Sequence, residues 1–224
     1  RSAVKGTKAN VKILGEPELR KLKANLLLAV GQGTKEPSQM IVMEYYGAGK
    51  QKQKPLVLIG KGITYDTGGL NVKPTGAMHD MHMDMSGGAS VIGAMKAIAT
   101  LKLKKNVVAL IPAAENSVSA EAMRAGDIFT AMNGKTVEVL HTDAEGRLAL
   151  ADALTYSARF KPKTIVDVAT LTGASLVALG QHASAVMTTD TKLQETLIAT
   201  GEQSGDYVWP LPLWEEYQRP LKST

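Results

Sequence analysis

An α/β fold, with a central sheet covered by helices on both faces, is predicted by three features of the sequence. Apolar runs of strand length, such as "PLVLIG" and "NVVALIPAAEN", alternate with longer stretches such as "SGGASVIGAMKAIATL", whose apolar residues recur at helical spacing. That alternation is what strands joined by crossover helices produce. Turn formers punctuate the boundaries, and 224 residues at 44% hydrophobic and 21% charged are ordinary globular composition with enough chain for one substantial core.

The elements follow in order. "VKILGEPELRKLKANLLLAVGQG" is predicted as a capped helix, with Pro17 near its first turn and a glycine stop at Gly31 or Gly33. "MIVMEYYG" and "PLVLIG" are strand candidates separated by the polar turn "AGKQKQK". "GKGITYDTGGLNVKP" holds too many turn formers for regular structure and reads as a glycine-rich loop. The helical "SGGASVIGAMKAIATL" and the buried strand "NVVALIPAAEN" come next. "DIFTAMNGKTVEVLHTD" reads as a hairpin turning at Asn133 and Gly134, and a helix is expected from about 147 to 159. "TIVDVATLTGASLVALG", "ASAVMTTD" and "KLQETLIATGEQSG" then supply strand, loop, strand and helix.

Composition excludes several classes of function. With no cysteine, disulfides and thiolate metal sites are ruled out, so any metal here takes oxygen or nitrogen ligands. The net charge of +5 comes from 26 Lys and Arg against 21 Asp and Glu, scattered except around 51 to 54 and 102 to 105. That scatter, despite a pI of about 9.3, is weak support for nucleic acid as a partner. No apolar run approaches the ~18 residues that span a bilayer, and the start "RSAVKGTKANVK" lacks the apolar core of a signal peptide, so a soluble cytoplasmic protein without a membrane partner is expected. The end "WPLPLWEEYQRPLKST" places Trp209 and Trp214 among prolines ahead of a short helical pattern, the kind of apolar segment expected within a longer protein.

Three charged clusters carry chemistry: Lys61, Asp66 and Lys73 in the glycine-rich loop, Asp84 ahead of a helix, and Asp143, Glu145 and Arg147 in "LHTDAEGRLALADAL". If the last segment is extended as far as Glu145, its alternate side chains share one side. Loops at the carboxyl ends of strands line the ligand crevice of an α/β sheet, so the clusters can meet. Four carboxylates gathered closely raise one another's pKa, and two divalent cations would balance their charge of −4. Oxygen donors suit Mg, Mn and Zn alike. A lysine such as Lys61 coordinates only as the neutral amine, which burial and a nearby dication favour. Lys73 and Arg147 can stay charged and hold an anion or a developing oxyanion.

Each cluster taken alone has a plainer reading. Asp143 and Glu145 serve equally as acids favouring the dipole of the following helix, and Asp84 as its helix's N-cap. "GKGITYDTGG" is an ordinary turn as readily as a ligand loop; neither it nor "GAGKQK" fits a phosphate-binding pattern. His79 and His82, three apart, lack further partners, and His182 is uninformative. His141 has the parity of Asp143. Met78, Met81, Met83 and Met85 are core filler or a pliable apolar wall.

Together these stretches resemble the leucyl aminopeptidase family, also called cytosol aminopeptidases, whose hallmark "NTDAEGRL" stands here as "HTDAEGRL". The resemblance runs through "LLLAVGQG", "GKGITYDTGGLNVKP", "MHMDMSGGASVIGAM", "IPAAENSVSAEAMRAGDI", "LADALTYSARFKP" and "DVATLTGASLVALG", in order along nearly the whole chain. It implies a di-metal exopeptidase-like catalytic domain with a mixed, mostly parallel central sheet, here filling residues 1 to 224, incomplete at its C-terminus and without the family's N-terminal domain.

The same resemblance implies two metal ions, zinc with manganese or magnesium exchanging at one site, held by Lys61, Asp66, Asp84, Asp143 and Glu145, with Asp66 and Glu145 bridging. Lys73 would stabilise the tetrahedral intermediate, and Arg147 would hold a bicarbonate acting as general base. Met81, Thr170 and Gly173 would line the pocket for the first side chain, and Leu171 would offer its carbonyl to the substrate amino group. The implied activity is hydrolysis of the N-terminal residue of peptides, leucine and other apolar residues preferred, by a homohexameric cytoplasmic metalloprotease. His141 departs from the family's Asn, beside the ligands and near the leaving side of the substrate. Two other classes stand beside this reading. A DNA-binding or scaffold role would tolerate loss of ligands that are all intact here, and a dinuclear phosphatase would share the carboxylates but not the peptide substrate.

Overall fold

The structure, a computed structural model, describes residues 1–50 and 52–217. The chain divides into two compact units, Arg1–Leu171 and Thr172–Thr224.

The first unit is built on a six-stranded mixed sheet. Its strands are β1 (Asn10–Leu14), β2 (Gln39–Tyr46), β3 (Leu56–Gly60), β4 (Gly62–Asp66), β5 (Asn106–Asn116) and a later strand, Thr164–Val168. A separate hairpin, β6 (Ile128–Thr130) with β7 (Thr136–Glu138), precedes that last strand, which is β8. The sheet order is β1-β2-β5-β3-β8, with β4 also on β5. β3 runs parallel to β5 and β8, and β4 parallel to β5, while β1 and β2 add antiparallel pairs at one side. This is the expected mixed sheet with a parallel centre.

Period-two alternation sorts the strand residues between two cores. Met40, Val42, Val108 and Leu110 face one side; there they meet Leu19 of α1 (Glu16–Lys21), Leu26 and Leu27 of α2 (Asn25–Gly31), and Leu148, Ala149 and Ala153. Met43, Tyr45, Val107, Ala109 and Ile111 face the other, against Val91, Met95 and Ala99 of α3 (Ser86–Thr100), a stripe at four-residue spacing. Leu148, Ala149 and Ala153 belong to α4 (Glu145–Ser157). β5 is buried along nearly its whole length, as a central strand covered on both faces should be.

β3 and β4 form one line of chain interrupted at Lys61. β5 pairs with β3 from Val107 to Leu110 and with β4 from Ala113 onward. Pro112, with no N–H for a ladder, falls between the two registers, at the height of the interruption. There the Lys61 N–H donates instead to the Val168 carbonyl at 3.0 Å, and the Gly88 N–H donates to the Lys61 carbonyl at 2.7 Å. Gly87 permits this approach of α3, because a Cβ there would stand 2.0 Å from the Val168 oxygen.

Three expectations need correction. The stretch read as one helix from Val11 to Gly33 is β1 followed by two helices. Val11 to Leu14 alternate between faces and pair with β2, and α1 stops where Lys23 turns left-handed at φ 57°. The Lys23 and Ala24 N–H groups then close back on Arg20 and Leu19, a Schellman stop made with lysine in place of glycine. The loop expected at "GKGITYDTGG" contains β4, whose Gly62 to Asp66 gain ladder partners from β5.

The third correction lies in the second unit, where the loop expected after β8 contains α5 (Gly173–Leu179), capped by the Thr172 hydroxyl, which accepts from the Ala174 N–H. The unit continues with β9 (Ser184–Val186), α6 (Thr191–Ser204), which the Asp190 side chain caps and Gly205 ends, and β10 (Val208–Pro210), parallel to β9. Trp209 is thus a strand residue. The end of the short helical pattern after Trp214, and Gln51 of the basic turn, lie outside the described residues.

Candidate functional site

The carboxyl ends of β3, β4, β5 and β8 and the head of α4 deliver their side chains to one place in the first unit. Lys61 leaves the β3 interruption almost fully buried; its Nζ lies 2.8 Å from both Asp84 oxygens, 3.0 Å from Glu145 Oε1 and 2.9 Å from the Thr170 carbonyl, to which it donates. Gly146 makes room for it, since a Cβ at that position would stand 2.5 Å from Lys61 Cε. Asp84 also accepts from the Thr170 hydroxyl at 2.7 Å. It is not the N-cap of α3: that place is taken by Met85, with no side-chain cap.

Asp66 ends β4. Its Oδ1 accepts from the Gly68 N–H and from Asn116 Nδ2, each at 2.9 Å, and its Oδ2 pairs with Lys73 Nζ at 2.8 Å. Lys73 also reaches Asp143 Oδ1 at 2.5 Å. The intervening loop folds back through Gly68 and Gly69, both with positive φ, and the Lys73 N–H closes it on the Thr67 carbonyl at 3.0 Å.

Asp143 and Glu145 are not on an extended strand. Thr142–Ala144 is a 3-10 turn, and Glu145 opens α4, so helical geometry, not alternation, turns both inward. Oxygens of Asp66, Asp143 and Glu145 all lie within 4.8 Å of one another. Of three buried carboxylate oxygens, Asp84 Oδ2, Asp143 Oδ1 and Glu145 Oε2, the last has no donor or cation against it among the described residues. The first two have a lysine at ion-pair distance.

The electrostatics are those of a site short of cations. Burial pushes Asp84 up, more than Lys61 and Thr170 pull it down, and Asp66 adds to the rise. Burial likewise raises Glu145 against the pull of Lys61. For Lys73, burial alone acts downward, but its hydrogen bonds to Asp143 and Asp66 outweigh it and hold the ammonium above the ordinary lysine value. Oxygen-rich and buried, with four carboxylates against two lysines, the cluster fits divalent cations.

The other expected residues fall as follows. Met81 is half-buried in the turn before Asp84, whose N–H donates to the Met81 carbonyl at 3.2 Å. Thr170 stands against Asp84 and Lys61, and Leu171 is 42% exposed at the end of the unit. Gly173 opens α5 in the second unit. Arg147 is exposed on the first turn of α4, with no ion-pair partner among the described residues. His141 is exposed and accepts the Asp143 N–H on Nδ1 at 3.3 Å, while His79 and His82 are exposed. Sequence reasoning missed Asn116, Thr142 and Asn71, which tie the segments that carry Asp66 and Asp143 together. The available signal was a polar pair, Glu115 and Asn116, closing the apolar run "NVVALIPAAEN", and a threonine inside "HTDAEG".

Comparison with known proteins places the chain in a family. The model of the cytosol aminopeptidase family, catalytic domain, matches residues 1–224. Relatives named "Probable cytosol aminopeptidase" include one from Nitrosococcus oceani, 51% identical over 95% of this chain, and one from Shewanella sediminis, 53% identical over 95%. Another from Azoarcus sp. is 51% identical over 96%. The chain spans about 42% of the length of the first two and 43% of the third. With the family's model matched from the first residue to the last, and a mixed α/β sheet as its frame, the chain belongs to the cytosol aminopeptidase family, as sequence of its catalytic domain.

Proposed function

We propose that this chain carries the chemistry of a dinuclear metallo-aminopeptidase, which hydrolyses the N-terminal residue from peptides with leucine and other apolar residues preferred. The observation that carries the reading is the gathering of four carboxylates against only two lysines, with the buried Glu145 Oε2 left without a donor among the described residues. Family membership supports the same reading. Lys61, Asp66, Asp84, Asp143 and Glu145 would hold two divalent ions, zinc with manganese or magnesium at one of them. When bound, such a pair supplies an acidified water and polarises the scissile carbonyl.

The protein's own groups have distinct tasks. Lys73 stays charged between Asp66 and Asp143, so it can hold negative charge that develops on the carbonyl oxygen. Arg147, exposed on the first turn of α4, is the proposed holder of a bicarbonate, an anion able to serve as general base, so that no His or free Glu is needed in that role. Met81, Thr170 and Leu171 are proposed as the wall met by the first side chain and the amino group. One methylene in such a pocket is worth only about 1–3 kcal/mol, so broad apolar specificity follows. A cytoplasmic homohexamer belongs to the same proposal; among the described residues no helix is long and apolar enough to cross a membrane.

The test is release of leucine from a leucine anilide or a dipeptide by the full-length protein, before and after metal removal, then after adding zinc or manganese. Activity should vanish and return with metal. A folded, metal-loaded protein that releases no amino acid from any apolar N-terminus would overturn the reading.

A further inference from the structure

Asp66 and the Asp143 to Glu145 turn come from distant parts of the chain, yet their oxygens lie within 4.8 Å of one another. Like charges at that distance repel, so something besides a bound cation must hold them in register. Asn116, the last residue of β5, is 1% exposed and lies between the two segments. Its Nδ2 donates to Asp66 Oδ1 at 2.9 Å and to the Thr142 carbonyl at 3.1 Å, which commits both hydrogens of the amide. Its main-chain carbonyl accepts from the Thr67 N–H at 3.0 Å and the Thr67 hydroxyl at 2.8 Å, fixing the residue after Asp66 as well.

The turn is gripped from its other side too. Thr142 is fully buried; its hydroxyl donates to the Gly68 carbonyl at 2.6 Å and accepts the Asn71 N–H at 2.8 Å. Its N–H donates to Asn71 Oδ1, also at 2.8 Å. None of these bonds uses the Asp66 oxygen that faces Lys73. Asp66 Oδ1 accepts from Gly68 and Asn116, while Oδ2 is the oxygen that meets Lys73.

We propose that Asn116 is a positioning residue of the metal centre: its amide fixes the orientation of Asp66 and ties it to the Asp143 to Glu145 turn, so the ligand set is assembled before any cation arrives. This rests on the dinuclear reading above. Groups that orient ligands without touching the metal are commonly worth 10–100-fold in metal affinity. Because Asn116 acts through Asp66, its loss should count only while Asp66 is present.

The experiment measures zinc and manganese affinity of the full-length protein by competition with a chromogenic chelator. The variants are Asn116→Leu, close in volume, and Asn116→Ser, which keeps a single short donor; each is also made with Asp66→Ala, and metal-free folding is followed by circular dichroism. The expected result is a 10–100-fold weaker affinity for both single variants, folded without metal, shrinking to about twofold or less on the Asp66→Ala background. Folded variants that bind metal as tightly as the parent overturn this proposal alone. So does an equal loss with and without Asp66, or failure of both variants to fold, since either makes Asn116 a residue of the fold rather than of the site. A folded parent protein that binds neither metal overturns the dinuclear reading and this proposal together.

Discussion

Replacing Asp152 by alanine is expected to cost the fold about 3–5 kcal/mol. This carboxylate of α4 is fully buried and accepts three backbone N–H groups: Leu26 and Leu27 on Oδ2 at 2.9 and 3.1 Å, and Met132 on Oδ1 at 2.9 Å. Leu26 and Leu27 stand in the first turn of α2, where N–H groups have no partner within the helix, and its N-cap, Ala24, offers no side-chain acceptor. A buried donor stripped of its acceptor costs ~1–3 kcal/mol, so three set a range of about 3–9. The lower part applies for two reasons. Alanine removes a carboxylate whose burial outweighs the pull of its donors and raises its pKa, and water can enter the vacated space to satisfy some donors.

Urea unfolding of the metal-free, full-length protein reads this directly. With a slope of about 2–3 kcal/mol/M, the midpoint should fall by about 1–2 M. A fall below about 0.3 M refutes the argument that Asp152 anchors α2. The raised pKa supplies a second, signed test. An acid whose folded pKa lies above its unfolded value binds more protons in the native state. Its contribution is full below the unfolded pKa and is lost as pH rises through the folded one. The stability of the parent relative to Asp152→Asn should therefore decline as pH climbs out of the ordinary carboxylate range. A rise in that window would mean that the three donors, not burial, govern this group.

Lys73→Ala should lower turnover by about 10²–10³-fold, the usual cost of a lost oxyanion donor, with little change in bound zinc, because it removes a competing cation from Asp66 and Asp143. Asp84→Ala should lose metal on dialysis; equal metal loss in the two variants would sink that division of roles. Gly146→Ala, whose methyl would stand 2.5 Å from Lys61 Cε, should displace a lysine that has no free space and weaken zinc binding by ~10-fold or more. Gly87→Ala, with its methyl 2.0 Å from the Val168 oxygen, sets backbone against backbone and should cost about 2–3 kcal/mol, read as a lowered urea midpoint.

What could be read from the sequence was what period carries. β2, β3 and β5 are apolar runs bounded by turn formers, and α3 shows Val91, Met95 and Ala99 at four-residue spacing, so their type was legible. The break between β1 and α2 was not, because it depends on the β2 pairing of Val11 to Leu14 and on a lysine in a conformation usually marked by glycine. β4 was hidden because three of its five residues, Gly62, Thr64 and Asp66, read as turn or polar positions until β5 supplies a ladder. In the site, the charged residues announced themselves by type. Asn116 did not, since one amide at the end of a strand has no pattern, and its importance lies in which oxygen it meets across 50 residues of sequence separation.

The interruption at Lys61 joins fold to site. A regular strand through position 61 would keep that residue in the β5 ladder, opposite Pro112, which lacks the N–H that such a ladder uses. The chain instead gives the Lys61 N–H to Val168 and its carbonyl to Gly88, so β8 and the head of α3 are drawn to the same point. Those elements bring Thr170 and Asp84, two of the partners of Lys61 Nζ. The third, Glu145, arrives with α4, whose Gly146 leaves space for the lysine stem. Backbone bonds to residue 61 therefore bring two of the three groups that its side chain meets. A substitution that straightened the strand would scatter this cluster even with every one of its side chains still present.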